Sequence, residues 1–167
     1  KRPGAWMTSY VGQYKMDGTE QRPHISMVCN FSRPVGDTPS LLTFMEVTTL
    51  FHEFGHALHG ILANTTYETL SGTNVSWDFV ELPSQFMENY CYEAAFLQEY
   101  AKHYETGETL PQVYIDKIIA SANFLQGYQT LRQLGFGILD MAYHTGQYTG
   151  EDIVRFEQEQ IAATSLY

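Results

Sequence analysis

The stretch that most constrains this chain begins at TFME, residues 43–46, and runs to about Leu62. Thr43 and Glu46 have the spacing of a capping box, in which threonine oxygen and glutamate carboxylate each satisfy a backbone N–H that a helix start leaves bare. Behind that start, Val47, Leu50, Phe51, Phe54, Leu58 and Ile61 recur at intervals that place them on one apolar stripe at about 100° per residue. The spacing predicts a helix over 44–62 with the stripe turned to the core. On the side away from it stand His52, Glu53 and His56, from HEFGHALHG at 52–60. The two histidines lie one turn apart, about 5.4 Å along the axis, and Glu53 lies within about 100° of both.

Two imidazoles so placed can grip one metal ion while the carboxylate stands beside it. A catalytic zinc takes nitrogen ligands at about 2.0–2.1 Å, keeps a position for water and lowers the pKa of that water towards about 7. HExxH meets these needs with His52 and His56 as ligands and Glu53 as general base. The bland reading is a solvated helix face that carries two histidines and an acid. The cap, the stripe and the small Gly55 between the ligands weigh against it. His59 does not extend the set, because the pattern HExxHxxGxxH needs Gly at 59 and His at 62, where this chain has His59 and Leu62. It reads as a packed or supporting residue.

The third ligand must come from elsewhere, and WDFVELPSQFMENY at 77–90 offers an acidic stripe in an apolar segment. Asp78, Glu81, Gln85 and Glu88 fall at i, i+3, i+7 and i+10, on one face of a helix flanked by Phe79, Val80, Leu82, Phe86 and Met87. Glu81 is the expected third ligand, which gives one Zn2+ held by two histidines and a glutamate, with an open fourth position. Glu88 and Asp78 are candidates to accept the second ring N–H of the histidines, with plain surface positions as the competing reading. No residue is singled out for substrate binding.

The rest of the chain bounds the class. With 167 residues, 44% of them hydrophobic, it is long enough for one domain with a real core. The expected fold is mainly α, with a small antiparallel sheet near the N-terminus around ISMVCNF at 25–31, between Pro23 and Pro34. NTTYETLSGTN at 64–74 reads as a loop that can add a short strand. A second helix is expected from Ser76 or Asp78 to about Gly107, kinked or limited at its start by Pro83. Further helices are expected from Pro111, from about Ala122 to His144, and from a Thr149 cap onward. A net charge of −10 with nine Lys plus Arg argues against nucleic acid and anionic membrane as partners. No apolar run approaches the ~18 residues of a membrane span. Cys29 and Cys91 read as free thiols of a reducing compartment. The chain opens at Lys1 without methionine and stops at AATSLY, so the expectation is a zinc-binding part of a longer polypeptide, cut at both ends.

Blocks along nearly the whole chain resemble the thimet-oligopeptidase or oligopeptidase A family of zinc metallopeptidases, which includes peptidyl-dipeptidases. They are KRPGAWM, VCNFSRP, LLTFMEVTTLFHEFGHALHG, LSGTNVSWDFVELPSQFMEN, AKHYETGE and LRQLGFGILDM. The resemblance implies a zincin-like helical catalytic-domain fragment, zinc on His52, His56 and Glu81, and Glu53 as base. It also implies cytoplasmic cleavage of oligopeptides in a channel completed by the remainder of the parent polypeptide, of peptidyl-dipeptidase or oligoendopeptidase type. The family carries a His- and Tyr-rich segment beyond the position of Tyr167 that resembles a substrate clamp and oxyanion donor. The chain by itself is therefore expected to bind zinc with little or no turnover. The alternative is a non-catalytic helical peptide-binding or structural module that retains HExxH.

Overall fold

Asp17 and Gly18 both take positive φ, 52° and 74°, the conformation that closes a two-residue hairpin whose twist matches its strands. They join Tyr14–Met16 (β2) to Thr19–Gln21 (β3). Outside this hairpin, Trp6–Val11 (β1) pairs antiparallel with His24–Val28 (β4), with Trp6 opposite Val28 and Met7 opposite Met27, and an irregularity between Ser9 and Val11. The expected N-terminal sheet is thus two small antiparallel pairs. The computed structural model describes residues 2–150 and 152–165. Lys1 of the KRPGAWM block and Tyr167 lie outside the described residues.

The helix that carries the histidine run spans Phe44–Ile61 (α1), and its capping box is formed. The Glu46 carboxylate accepts from Thr43 N at 2.7 Å and from Ser32 N at 2.6 Å, so it also ties the segment after β4 to the helix start. At the other end Arg22 donates to the carbonyls of Ile61 and Ala63, at 2.5 and 3.0 Å, satisfying groups that the last turn leaves open. The β region therefore holds α1 at both ends. This fixes where the histidine run stands.

The predicted apolar stripe is only partly inside. Phe54 and Ile61 are 43% and 42% exposed, while the buried residues of α1 are Glu53, Gly55, Ala57 and Gly60. The reason is close approach. A Cβ on Gly60 would overlap Ile25 of β4, and one on Gly55 would stand 2.5 Å from Ser84 Cα and 2.6 Å from the Pro83 carbonyl oxygen. The Ile25 side chain at Gly60 and the backbone of residues 83–84 at Gly55 close over the small residues, and Glu53 is buried with them.

The expected long helix from Ser76 or Asp78 is broken into pieces. Residues 77–81 are turns, with Phe79 N bonded to Ser76 O and Leu82 N to Phe79 O. Helix begins only at Leu82–Glu88 (α2), with Pro83 in its first turn, where its missing N–H costs nothing. A 3-10 turn at Asn89–Tyr92 follows, and Glu93, extended at ψ 123°, separates it from Ala94–Tyr100 (α3). Phe51 of α1 meets Phe96 edge-on at 5.2 Å, and Phe44 meets Tyr92 at 5.0 Å. In place of the possible short strand in 64–74 there is a 3-10 turn at Glu68–Leu70. Fully buried Gln13 brackets Thr65 beside it, donating to its carbonyl at 2.9 Å and accepting its N–H at 2.7 Å.

Gln112–Ser121 (α4) starts just after Pro111, as expected. The chain divides within this helix into two compact units, Lys1–Ile115 and Asp116–Tyr167. In the second unit Gln126–His144 (α5) begins later than Ala122, because Leu125 turns through positive φ, 54°. The last helix is Ile153–Ile161 (α6), and its cap is Asp152 rather than Thr149. Tyr143, Tyr148 and Phe156 form a ring cluster within that unit, and Tyr143 Oη donates to Glu157 at 2.9 Å. Mainly α with a small N-terminal sheet is the fold. Among the described residues, no helix is long and apolar enough to cross a membrane.

Candidate metal centre

Three side chains meet on the covered face of α1. Glu81, at the N-cap of α2, places Oε2 at 3.2 Å from Nε2 of His52 and 3.2 Å from Nε2 of His56. The two imidazoles stand edge to face, with centroids 4.9 Å apart. One donor atom from each of the three lies within 4.8 Å of the others. Glu88, two turns along α2 from Glu81, holds the far nitrogen of His52, with Oε1 at 2.6 Å from Nδ1.

That last bond fixes the chemistry of His52. A carboxylate only accepts, so Nδ1 carries the proton, and in the neutral form of the ring Nε2 presents a bare lone pair. This lone pair faces Glu81 Oε2, another acceptor. Two acceptors so close repel each other unless a cation or a proton lies between them. In a tetrahedral site with bonds of about 2.0–2.1 Å, ligand atoms are about 3.3 Å apart, so the two 3.2 Å spacings to Glu81 Oε2 fit zinc. Two borderline nitrogens and one carboxylate oxygen are also the donor types that zinc takes.

Glu53 is 6% exposed, and its Oε2 is buried without a hydrogen-bond partner among the described residues. A buried carboxylate left so is costly unless a positive charge or a reacting group faces it. Glu53 lines a cavity of about 390 Å³ with Ala5, Trp6 and Met7 before and in β1, His52, His56 and Glu81, and Thr73 and Val80. The thiol of Cys29 is pushed above its usual value by burial and then by the charge of Glu53, which sets this cysteine in the field of the same carboxylate. His56 Nδ1 is likewise buried with no partner among the described residues.

Of the outer carboxylates expected from the sequence, Glu88 is at the site and Asp78 is not. Asp78 sits on the exposed turn ahead of α2 and makes no ion pair with either imidazole. The helical face that would have aligned it with Glu81 does not exist before Leu82. His59 is half-buried and meets Phe79 edge-on at 6.1 Å; burial, and then His56, hold its pKa below the usual imidazole value. It lines a separate cavity of about 470 Å³, with Leu58, Leu62, Leu70, Phe86 and Met87 among its walls. Sequence reasoning missed Ser84, whose hydroxyl donates to Glu81 Oε2 at 2.7 Å. The signal was there, a serine three residues after a glutamate at a helix start. It also missed the cavity wall from Ala5 to Met7, which no motif links to the histidines.

The pattern of Peptidase family M3 matches residues 1–163. Oligopeptidase A of Salmonella typhimurium is 51% identical over 146 residues, covering 86% of this chain. The organellar oligopeptidase A of Arabidopsis thaliana is 49% identical over 173 residues, and the dipeptidyl carboxypeptidase of Escherichia coli 38% over 168, each covering 99% of it. The chain spans 22–24% of the length of these curated relatives. A match over almost every residue, which takes in the histidine run, its glutamate and both small sheets, is not one that a stray HExxH would give: the chain belongs to Peptidase family M3.

Proposed function

We propose that this chain carries the metal site of a zinc peptidase acting on oligopeptides, with one Zn2+ held by His52, His56 and Glu81 and with Glu53 as general base. The observation that carries the reading is the single Glu81 oxygen at 3.2 Å from both imidazole Nε2 atoms. Zinc, when bound, supplies a Lewis acid that lowers the pKa of water and polarises a peptide carbonyl. Glu53 takes the proton of the attacking water at its unpartnered oxygen and passes it to the leaving amine. Glu88 keeps His52 in the tautomer that offers Nε2 as a ligand. Ala5, Trp6 and Met7 bound the space that the peptide enters.

The reading includes a channel completed by the rest of a longer polypeptide and a cytoplasmic setting, which the two free cysteines support. Within Salmonella typhimurium, identity is higher to oligopeptidase A than to dipeptidyl carboxypeptidase, 51% against 40%, which favours the oligopeptidase type. A peptide digest by the full-length protein, read by mass spectrometry, tests both parts. Internal cuts abolished by a chelator are expected. Dipeptides released from the C-terminus would move the protein to the other subclass, and cleavage that survives complete zinc removal would overturn the reading.

A further inference from the structure

We infer that Ser84 is the positioning residue of the third ligand. The inference rests on the zinc reading above. Ser84 is fully buried in the first turn of α2, and its hydroxyl lies 2.7 Å from Glu81 Oε2 and 2.9 Å from the Glu81 carbonyl oxygen. The oxygen it donates to is the one that faces both imidazoles. Among the described residues, every hydrogen bond of this hydroxyl goes to Glu81.

Glu81 needs such a tether. Its side chain is 49% exposed and has three rotatable bonds, so nothing in its packing alone keeps the carboxylate over the histidines. Ser84 can supply the constraint because its own place is fixed. At Gly55, which stands between the two histidines, α1 and α2 meet backbone to backbone: a Cβ there would come within 2.5 Å of Ser84 Cα. The contact sets Ser84 relative to the imidazoles, and the hydroxyl sets the carboxylate relative to Ser84. A serine that merely closed the helix start would need only the carbonyl bond; the bond to Oε2 is the one that acts on the metal site.

The test is a double-mutant cycle in the full-length protein, with zinc affinity measured by competition with a chelator. Ser84→Ala should weaken zinc binding by about 10–100-fold, the range of groups that orient a ligand. In a Glu81→Ala background the same substitution should change affinity by less than about twofold, because the group it acts through is gone. A loss below about tenfold, or an equal loss in both backgrounds, overturns the inference. So does an apo Ser84→Ala protein that no longer melts cooperatively, since the hydroxyl would then hold the fold and not the ligand. A wild-type protein that takes up no zinc sinks the proposed function itself, and the inference with it.

Discussion

Replacing Gly55 with alanine sets two effects of known size against each other. In a helix interior alanine is better than glycine by about 1 kcal/mol, so on propensity alone Gly55→Ala would stabilise α1. The new methyl, however, would lie 2.5 Å from Ser84 Cα and 2.6 Å from the Pro83 oxygen, against about 3.5–4.0 Å for an ordinary carbon contact. Both atoms are backbone, so no side chain can rotate away; α2 must retreat by about 1 Å. Overpacking of this kind costs about 1–3 kcal/mol, which outweighs the propensity gain or cancels it. The metal site should suffer more than the fold. Ligand distances must hold to within about 0.2 Å, and Glu81 travels with α2, so a retreat of about 1 Å takes its carboxylate out of range. Urea unfolding of the apo protein and chelator competition for zinc would read the two consequences separately. The expectation is a modest loss of stability, at most about 2 kcal/mol, with a loss of zinc affinity well beyond tenfold. An apo protein stabilised by about 1 kcal/mol, with zinc binding unchanged, would mean that the two helices do not touch at Gly55.

Glu53→Gln keeps the size of the side chain but removes the base, so zinc should remain while turnover by the full-length enzyme falls by roughly 10²–10⁴; residual activity above about a tenth would remove Glu53 from that role. Glu81→Ala should lower zinc affinity sharply, whereas Glu88→Ala should weaken it only by about 10–100-fold, and equal retention in a chelator titration would take Glu81 out of the ligand set. Hydrogen bonds from the Thr43 backbone, and then from Ser32, hold the Glu46 carboxyl at about 2, below its ordinary 4.5. Because the folded pKa is the lower one, this contribution to stability is present above pH 4.5 and is lost as pH falls towards about 2. Unfolding midpoints measured across that window should fall less steeply for Glu46→Gln than for wild type, and parallel acid limbs would contradict the capping role.

What could be read from the sequence was what lies close together in it. The capping box and HExxH are complete within a few residues of one helix, so spacing alone placed Glu46, His52, Glu53 and His56 on α1. Glu81 was expected on chemical grounds, as the carboxylate that two histidines would need to complete a zinc site, and the structure brings its Oε2 to 3.2 Å from both imidazoles. Asp78 failed for a local reason. Periodicity counts residues at fixed intervals but does not see that 77–81 fold as turns and that helix starts at Leu82. Ser84 and the wall from Ala5 to Met7 reach the site through tertiary packing, which no spacing rule reports.

The apolar stripe failed for a different reason. Reading hydrophobicity as burial put Phe54 and Ile61 inside, yet both are more than two-fifths exposed, and the covered positions are Glu53, Gly55, Ala57 and Gly60. On this helix, size complementarity decides burial. The β1–β4 pair approaches α1 at Gly60 and α2 approaches at Gly55, and the histidine face lies between these two approaches. A larger side chain at either glycine would still leave HExxH intact as a string, with His52, Glu53 and His56 unchanged. It would separate the helix from the element that brings the third carboxylate, or from the strands that wall the cavity. The imidazoles of HEFGH thus state what the site could hold, and Gly55, which has no donor, sets how closely the helix that carries Glu81 can approach them.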